Sequence, residues 1–168
     1  MNRPIIIATA ILIIVVVFGA LAYFLIVNRP AQTEIYISPQ TVQRGVGQTF
    51  SVEVDVSDVT NLYGYELTLG WNTTILELEN ATEGTFLRQG ENQTFFTYVV
   101  NASSGLVKVD CTLLGDLQGI SGKGTLASVQ FQVKANGSCD LALSDTQLVK
   151  QNEDVISHIV VDGHFTSE

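Results

Sequence analysis

The residues that could carry out chemistry are few, and they do not form a catalytic or metal-binding pattern. His158 and His164 are the only histidines, whereas a metal site needs three or four convergent ligands. Paired carboxylates such as Glu77 and Glu79 could hydrolyse a glycoside only if a cleft held two of them about 5–10 Å apart, and such pairs are usually exposed. No nucleophile–base pair or phosphate loop accompanies them. The sequence therefore predicts no catalytic residue, no metal ion and no cofactor.

Cys111 and Cys139 are the only two cysteines. Both have the parity of inward-facing strand residues. A disulfide persists in proteins that face an oxidising compartment, whereas buried free thiols behave as small apolar side chains. A disulfide and two buried thiols both remain open from the sequence alone.

Five Asn-X-Ser/Thr triplets without a central proline match the acceptor pattern for N-glycosylation. A single triplet is weak evidence, but five within residues 72–136, mostly at predicted turns, favour an extracellular domain. Asn- and Thr-rich turns without sugar are the alternative. The acceptor asparagines are Asn72, Asn80, Asn92, Asn101 and Asn136.

Aromatic side chains could stack on sugar rings, and Trp71, Tyr65 and Tyr63 are the most suggestive ones. They alternate with polar residues and share the parity of Leu67 and Leu69. Residues of one parity lie on one face of a strand, so the pattern places these aromatics in the core.

The elements that must position all these residues are strands. Phe50, Val52, Val54 and Val56 alternate with polar residues, and a second alternation follows over 63–71 after a turn-like stretch at 57–61. No helical periodicity appears after residue 30, and the four glycines in 115–124 predict a loop. About nine short strands predict an all-β sandwich. Further predicted strands cover 34–38, 95–101, 106–114, 125–133, 139–143 and 155–161.

Residues 5–27 contain no charged side chain. A helix of that length spans roughly 35 Å, enough to cross a bilayer core of about 30 Å. A cleaved signal is the alternative, because Ala20-Leu21-Ala22 resembles a cleavage site, but the apolar run exceeds the usual signal core. The sequence predicts a tail at 1–4, a single transmembrane α-helix at 5–27, a linker at 28–33 and a β-domain at 34–168.

Charge and the glycosylation acceptors orient the chain. Residues 33–168 hold six of the eight basic residues and all 17 acidic residues, a formal charge of −11. Nucleic acid requires a basic footprint, so it is excluded as a partner. The acceptors place the C-terminal domain outside the cell membrane and the N-terminus in the cytoplasm.

One family matches the apolar and glycine spacing of the domain. The run Gly47-x-x-Phe50-x-Val52-x-Val54-x-Val56-x-x-Val59 continues into Leu62-x-Gly64-Tyr65-x-Leu67-x-Leu69-x-Trp71-Asn72, and Gly122-x-Gly124-Thr125-Leu126-Ala127-x-Val129-x-Phe131-x-Val133 follows. Over roughly residues 34–166 the chain resembles the cohesin domain. The resemblance implies a nine-stranded jelly-roll sandwich, related to carbohydrate-binding modules, that binds a dockerin on one sheet face.

The resemblance also implies where a partner would bind. The partner-facing sheet of the family includes the strands that match 62–71, 95–101 and 106–114. Glu66 aligns with an aspartate-type contact, whereas Gly64 stands where the family has an asparagine-type contact. The same face would carry Thr68, Asp110 and Thr112. An ordinary solvated sheet face is the alternative.

The implied topology bears on the cysteines as well. The strands of Cys111 and Cys139 would flank the 62–71 strand, nearly 10 Å apart, which is beyond the reach of a disulfide.

Three functions follow from these observations. The leading hypothesis is a membrane-anchored, cell-surface module that docks a dockerin-like protein. The second is a module of the same fold that binds polysaccharide or the cell envelope. The third, a subunit of a surface filament, is disfavoured because no basic residue followed by Gly or Ala precedes the apolar run.

Overall fold

Strands make up nearly all the regular structure of the chain. The computed structural model describes Phe18 and residues 32–168, and residues 32–168 form one unit of eleven strands and a single 3-10 turn. The strands are β1 (Glu34–Ser38), β2 (Thr41–Arg44), β3 (Thr49–Leu62), β4 (Gly64–Gly70), β5 (Leu76–Glu83), β6 (Thr94–Asn101), β7 (Leu106–Leu113), β8 (Ile120–Val133), β9 (Ser138–Val149), β10 (Ile159–Val161) and β11 (Gly163–Ser167), and the turn is Gln89–Glu91.

The strands form two sheets that pack face to face. One sheet has five strands in the order β10-β1-β3-β8-β5, and the other has six in the order β2-β11-β9-β4-β7-β6. All neighbouring strands are antiparallel except the pairs β1–β10 and β2–β11. The prediction of an all-β sandwich is confirmed, although the number of strands is eleven and not nine.

The predicted transmembrane helix at 5–27 lies, apart from Phe18, outside the described residues, and so does most of the linker. In Phe18 and residues 32–168, no helix has both the length and the apolar character needed to cross a bilayer. Thr33, which ends the predicted linker, is buried, and its hydroxyl donates a hydrogen bond to the Asp58 carbonyl.

The extra strands arise at the two ends of the domain. Pro39 ends β1, and the chain crosses to the other sheet, where β2 pairs with β11. The prediction of a strand over 155–161 was partly wrong, because only Ile159–Val161 is a strand and Val155 makes an isolated bridge to Val149. β11 follows directly and was not predicted.

Two predicted breaks are instead parts of strands. The stretch 57–61 continues β3 through register irregularities opposite β8. Asp58 and Asn61 adopt positive φ angles of 52° and 57° there, a conformation that short polar side chains tolerate in a bulge. Likewise, the predicted loop at 115–124 ends early, because β8 begins at Ile120.

The hydrophobic core lies between the two sheets, and its buried residues all belong to 32–168. Phe131 is fully buried at its centre, 5.7 Å from the Phe50 ring and 5.4 Å from the Trp71 ring, measured between centroids. Phe165 of β11 stacks on Phe50 at 5.1 Å. Trp71 and Tyr65 are 8% and 4% exposed, which confirms their predicted place in the core.

Candidate partner-binding face

The face that the family resemblance points to is the solvent side of β4, β7 and β6, which are neighbours in that order in the six-stranded sheet. We call this surface the outer face. The strand register arranges its residues in three cross-strand rows. The rows are Gly64–Thr112–Phe95, Glu66–Asp110–Thr97 and Thr68–Lys108–Val99.

The four predicted contact residues therefore lie together. Glu66 is directly opposite Asp110, and Thr112 occupies the next row. Thr68 differs from the other three in being buried: it is only 8% exposed. It lies between Lys108 of β7 and Ser144 of β9. Whether any of the four contacts a partner remains a prediction.

Charge on the outer face is concentrated in its centre. The Lys108 Nζ lies 2.9 Å from Glu66 Oε2, with both side chains partly exposed. The hydrogen bond from Lys108 lowers the pKa of Glu66. Burial, followed by a hydrogen bond with Glu66, raises the pKa of Asp110. Lys108 thus acts to lower the pKa of both carboxyl groups, but at Asp110 burial and the neighbouring Glu66 outweigh its effect.

Removing this lysine should change the titration of both carboxyl groups. In Lys108→Met, the pKa of Glu66 is expected to rise, because its stabilising hydrogen bond is lost. The pKa of Asp110 is expected to rise further, because Lys108 partly offsets the effect of burial. NMR titration of the side-chain carboxyl carbons measures both shifts.

Lys134→Met provides the control, because Lys134 lies 3.9 Å from Glu77 of β5, in the other sheet. It should leave Glu66 and Asp110 unchanged. Equal effects of the two variants would show that overall charge, and not the local contact, governs this pair.

A recess opens at the Gly64 end of the outer face. It has a volume of about 270 Å³, and its lining includes Gly64, Glu66, Phe95, Thr112 and Gln147. Gly64 leaves the floor without a side chain, and a Cβ there would lie 3.1 Å from the Cys111 carbonyl oxygen. At the position where the resemblance implies a polar contact, this protein therefore has a hollow beside the aromatic ring of Phe95.

Phe95 forms the apolar wall of this recess and is 59% exposed. The sequence left its orientation undecided, because 95–100 reads Phe-Phe-Thr-Tyr-Val-Val, with apolar residues at both parities. Its pairing with Thr112 shows that it points outward. The register of β6 against β7 is what identifies Phe95 as a residue of the outer face. That register is known only from the structure.

The structure leaves Cys111 and Cys139 as free thiols. β4 separates their strands, as the resemblance implied. Cys111 is opposite Tyr65, whereas Cys139 lies three residues beyond Ala142, the partner of Gly70 at the far end of β4. The two are thus roughly 25 Å apart along the sheet, so the disulfide does not form in this fold.

The two thiols should differ in reactivity. Burial, and secondarily the charge of Glu83, raises the pKa of Cys111 to about 12, and its Sγ lies 3.6 Å from Glu83 Oε1. Cys139 is half-buried. Because the thiolate is the reactive form, we expect a maleimide or iodoacetamide to modify Cys139 first in the native protein.

Mass spectrometry of the alkylated protein tests this order, and Cys139→Ser should remove the fast phase. Without reductant, the intact mass should correspond to two thiols. A mass lower by one pair of hydrogen atoms, with no fast labelling, would contradict the free-thiol assignment.

The histidines serve local structure. His158 contacts the Thr146 hydroxyl through Nε2 and the Ile156 carbonyl through Nδ1, both at 2.8 Å. His164 pairs with Asp140 at 2.8 Å, whereas Asp162 accepts a hydrogen bond from the Leu143 amide. Within the described part of the chain, no three His, Cys, Asp or Glu side chains are placed to hold a metal ion.

The glycosylation acceptors differ in accessibility. Asn80, Asn101 and Asn136 are exposed, and so is Asn72, whose Oδ1 accepts hydrogen bonds from the Thr74 amide and hydroxyl. Asn92 is half-buried. Their occupancy by sugar remains a prediction.

The strand order and the two packed sheets define a jelly-roll β-sandwich. The chain belongs to the cohesin domain family, because the model of the cohesin domain matches residues 35–166.

Individual relatives agree with this assignment. Cellulose-binding protein A of Clostridium cellulovorans is 32% identical over 123 residues, which are 71% of this chain and 6% of that protein. The chain thus spans a small part of that relative's length.

Solved structures share the fold. A non-cellulosomal cohesin from Archaeoglobus fulgidus has a TM-score of 0.69 at 23% identity, covering 82% of this chain and 92% of that one. The sixth cohesin of scaffoldin B from Acetivibrio cellulolyticus, in complex with a Cel5 dockerin mutant, has a TM-score of 0.68 at 20% identity, covering 82% and 100%.

Proposed function

We propose that residues 32–168 dock a dockerin-type partner protein through the outer face. The observation that carries the proposal is the recess at Gly64, which is lined by the exposed aromatic ring of Phe95 and by Glu66, whose carboxylate is ion-paired with Lys108. Aromatic anchors next to desolvated polar groups supply most of the binding energy at protein interfaces. Membership of the cohesin family supports the same partner class.

The arrangement also indicates what such a partner presents. Gly64 offers no polar side chain, so we expect a partner side chain to enter the recess and pack against Phe95. Residues 33–168 carry a formal charge of −11. Because complementary charge accelerates association, we expect the docking partner to bring basic residues toward Glu66 and Asp110.

Binding of polysaccharide or the cell envelope is the second candidate. The sugar-stacking residues that it would need, Trp71 and Tyr65, are buried in the core. On the outer face, the exposed aromatic is Phe95, which shares its recess with Glu66 and is not part of an aromatic platform. The geometry therefore favours a protein partner.

A capture experiment separates these candidates. Immobilised residues 32–168, which contain both sheets and their core, are exposed to the organism's own secretome. We expect retention of a protein that carries a calcium-loop repeat, with release by a chelator, because dockerins are calcium-stabilised. Retention of the domain only on insoluble glycan would support the second candidate and overturn docking.

We also propose that the chain is a single-pass membrane protein, with residues 5–27 as a retained anchor, the N-terminus in the cytoplasm and the β-domain at the cell surface. The uncharged length of 5–27 and the five glycosylation acceptors support this topology. Intact-mass analysis of the natural protein tests it. A mature chain that begins at Tyr23 would show instead that the segment is a cleaved signal.

A further inference from the structure

β6 differs from the other edge strands of the sandwich in the part of the chain that the structure describes. β10 and β2, which end the two sheets on one side, have only three and four residues. β5, the other edge of the five-stranded sheet, has an irregular register between Leu78 and Asn80 and carries three glutamates. Shortness, bulges and charges are the devices that prevent edge strands from pairing with other chains.

β6 has none of these devices. It is eight residues long, contains no charged residue, proline or glycine, and pairs with β7 without a register shift. Several of its apolar side chains are exposed, including Val99 at 66% and Phe95 at 59%. An apolar edge of this length is a template for a further strand.

The hydrogen bonds show which backbone groups of β6 are free. The Leu114 amide donates to the Gln93 carbonyl at 2.9 Å. Because hydrogen-bonding residues alternate along an antiparallel strand, Phe95, Thr97 and Val99 also bond to β7. The amides and carbonyls of the alternate residues therefore point away from the sheet. These residues are Thr94, Phe96, Tyr98 and Val100.

We propose that β6 pairs antiparallel with β6 of a second copy of this chain, about a two-fold axis through Thr97, and joins two six-stranded sheets into one. In this register, the free groups of Phe96 meet those of Tyr98 in the second copy, and those of Thr94 meet Val100. On the outer face, Phe95 lies opposite Val99 of the second copy. Phe96–Tyr98 is an aromatic–aromatic pair, Phe95–Val99 is an aromatic–β-branched pair, and Thr97 meets Thr97 on the axis. All three kinds are favourable cross-strand pairs.

The uncharged and nearly symmetric sequence of β6 favours a second copy as its partner. Two domains with a formal charge of −11 each repel one another at most surfaces, because like charges destabilise an interface. β6 is an uncharged strand at which two acidic copies can meet without opposing carboxylates. The distribution of residue types about Thr97 is also nearly symmetric, so the strand complements itself.

Edge pairing leaves the outer face of each copy open and places both on the same side of the joined sheet. This dimer does not depend on the docking function. If docking holds, however, the dimer would present two docking faces at once.

Sedimentation equilibrium of residues 32–168, produced without glycosylation and studied over a wide concentration range, tests the proposal. We expect a monomer–dimer equilibrium. Val99→Lys places a guarding charge at the seam and should raise the dimer dissociation constant about tenfold or more. Val46→Lys makes the same change at a 52% exposed position between two glycines outside the sheets, and should change the constant by less than about twofold.

Hydrogen exchange gives an independent readout of register. On dimerisation, the amides of Phe96, Tyr98 and Val100 should gain protection, whereas those of Thr97 and Val99 are protected in both states. A monomer at every concentration would overturn the proposal, even if added partner protein then protected β6. A dimer that Val46→Lys and Val99→Lys weaken equally, or one that protects amides elsewhere, would overturn it as well.

Discussion

Replacing Phe131 with alanine is expected to lower the free energy of unfolding by about 3–5 kcal/mol, the range observed for buried Phe→Ala changes. Phe131 is fully buried and its ring contacts Phe50 of β3 and Trp71 beyond β4. It therefore connects the two sheets, and its loss leaves a cavity that neither sheet can fill alone. Urea unfolding followed by Trp71 fluorescence measures the change.

Phe95→Ala is the matched control, because it removes the same atoms from a side chain that is 59% exposed. We expect its free energy of unfolding to stay within about 1 kcal/mol of the wild type. Comparable losses in the two variants would mean that Phe95 belongs to the core and that the outer face is assigned wrongly.

Reversing the charge of Glu66 is expected to weaken the proposed partner complex by a factor on the order of 10–100. In Glu66→Lys, the new lysine lies directly opposite Asp110 and diagonally beside Lys108, so the ion pair with Lys108 is lost. The reversed charge also repels the basic surface that we expect on the partner. Charged contacts that lose water on binding have effects of this size. Titration calorimetry with the captured partner measures the affinity.

Glu79→Lys makes the same charge change on β5, in the other sheet. It should alter the affinity by less than about twofold, and neither variant should unfold the domain, because exposed ion pairs contribute about 1 kcal/mol or less. If Glu79→Lys weakened binding as much as Glu66→Lys, net charge would explain the effect and the outer face would not be the docking surface.

The inward or outward orientation of residues within a single strand could be predicted well, because successive side chains point to opposite faces of the sheet. Alternation placed Val52 and Val54 inward, Trp71 in the core, and Glu66 and Asp110 outward. Alternation says nothing about which strands are neighbours. The juxtaposition of β4, β7 and β6 came from the family resemblance, and the recess at Gly64 came from the structure.

Prediction from the sequence failed where strand pairing or neighbouring strands override the preference of the local residues. Residues 57–61 resemble a turn because aspartate and asparagine favour left-handed backbone, but pairing with β8 continues on both sides and makes them a bulged strand. Thr68 was predicted to be exposed from its parity, yet its neighbours on β7 and β9 cover it. The exposure of Thr68 depends on the side chains of the neighbouring strands, so it could not be predicted from the sequence of β4 alone.

The chain passes from one sheet to the other at Pro39, and the strands on both sides of it pair with the last two strands of the domain. β1 pairs with β10, and β2 pairs with β11, whose Phe165 is fully buried. During synthesis from the N-terminus, neither sheet can be completed until β10 and β11 have left the ribosome, since β1 and β2 pair with strands far away in sequence. The same pairing means that detaching β1 from the domain must break its hydrogen bonds to β3 and to β10, because a strand lies on each side of it.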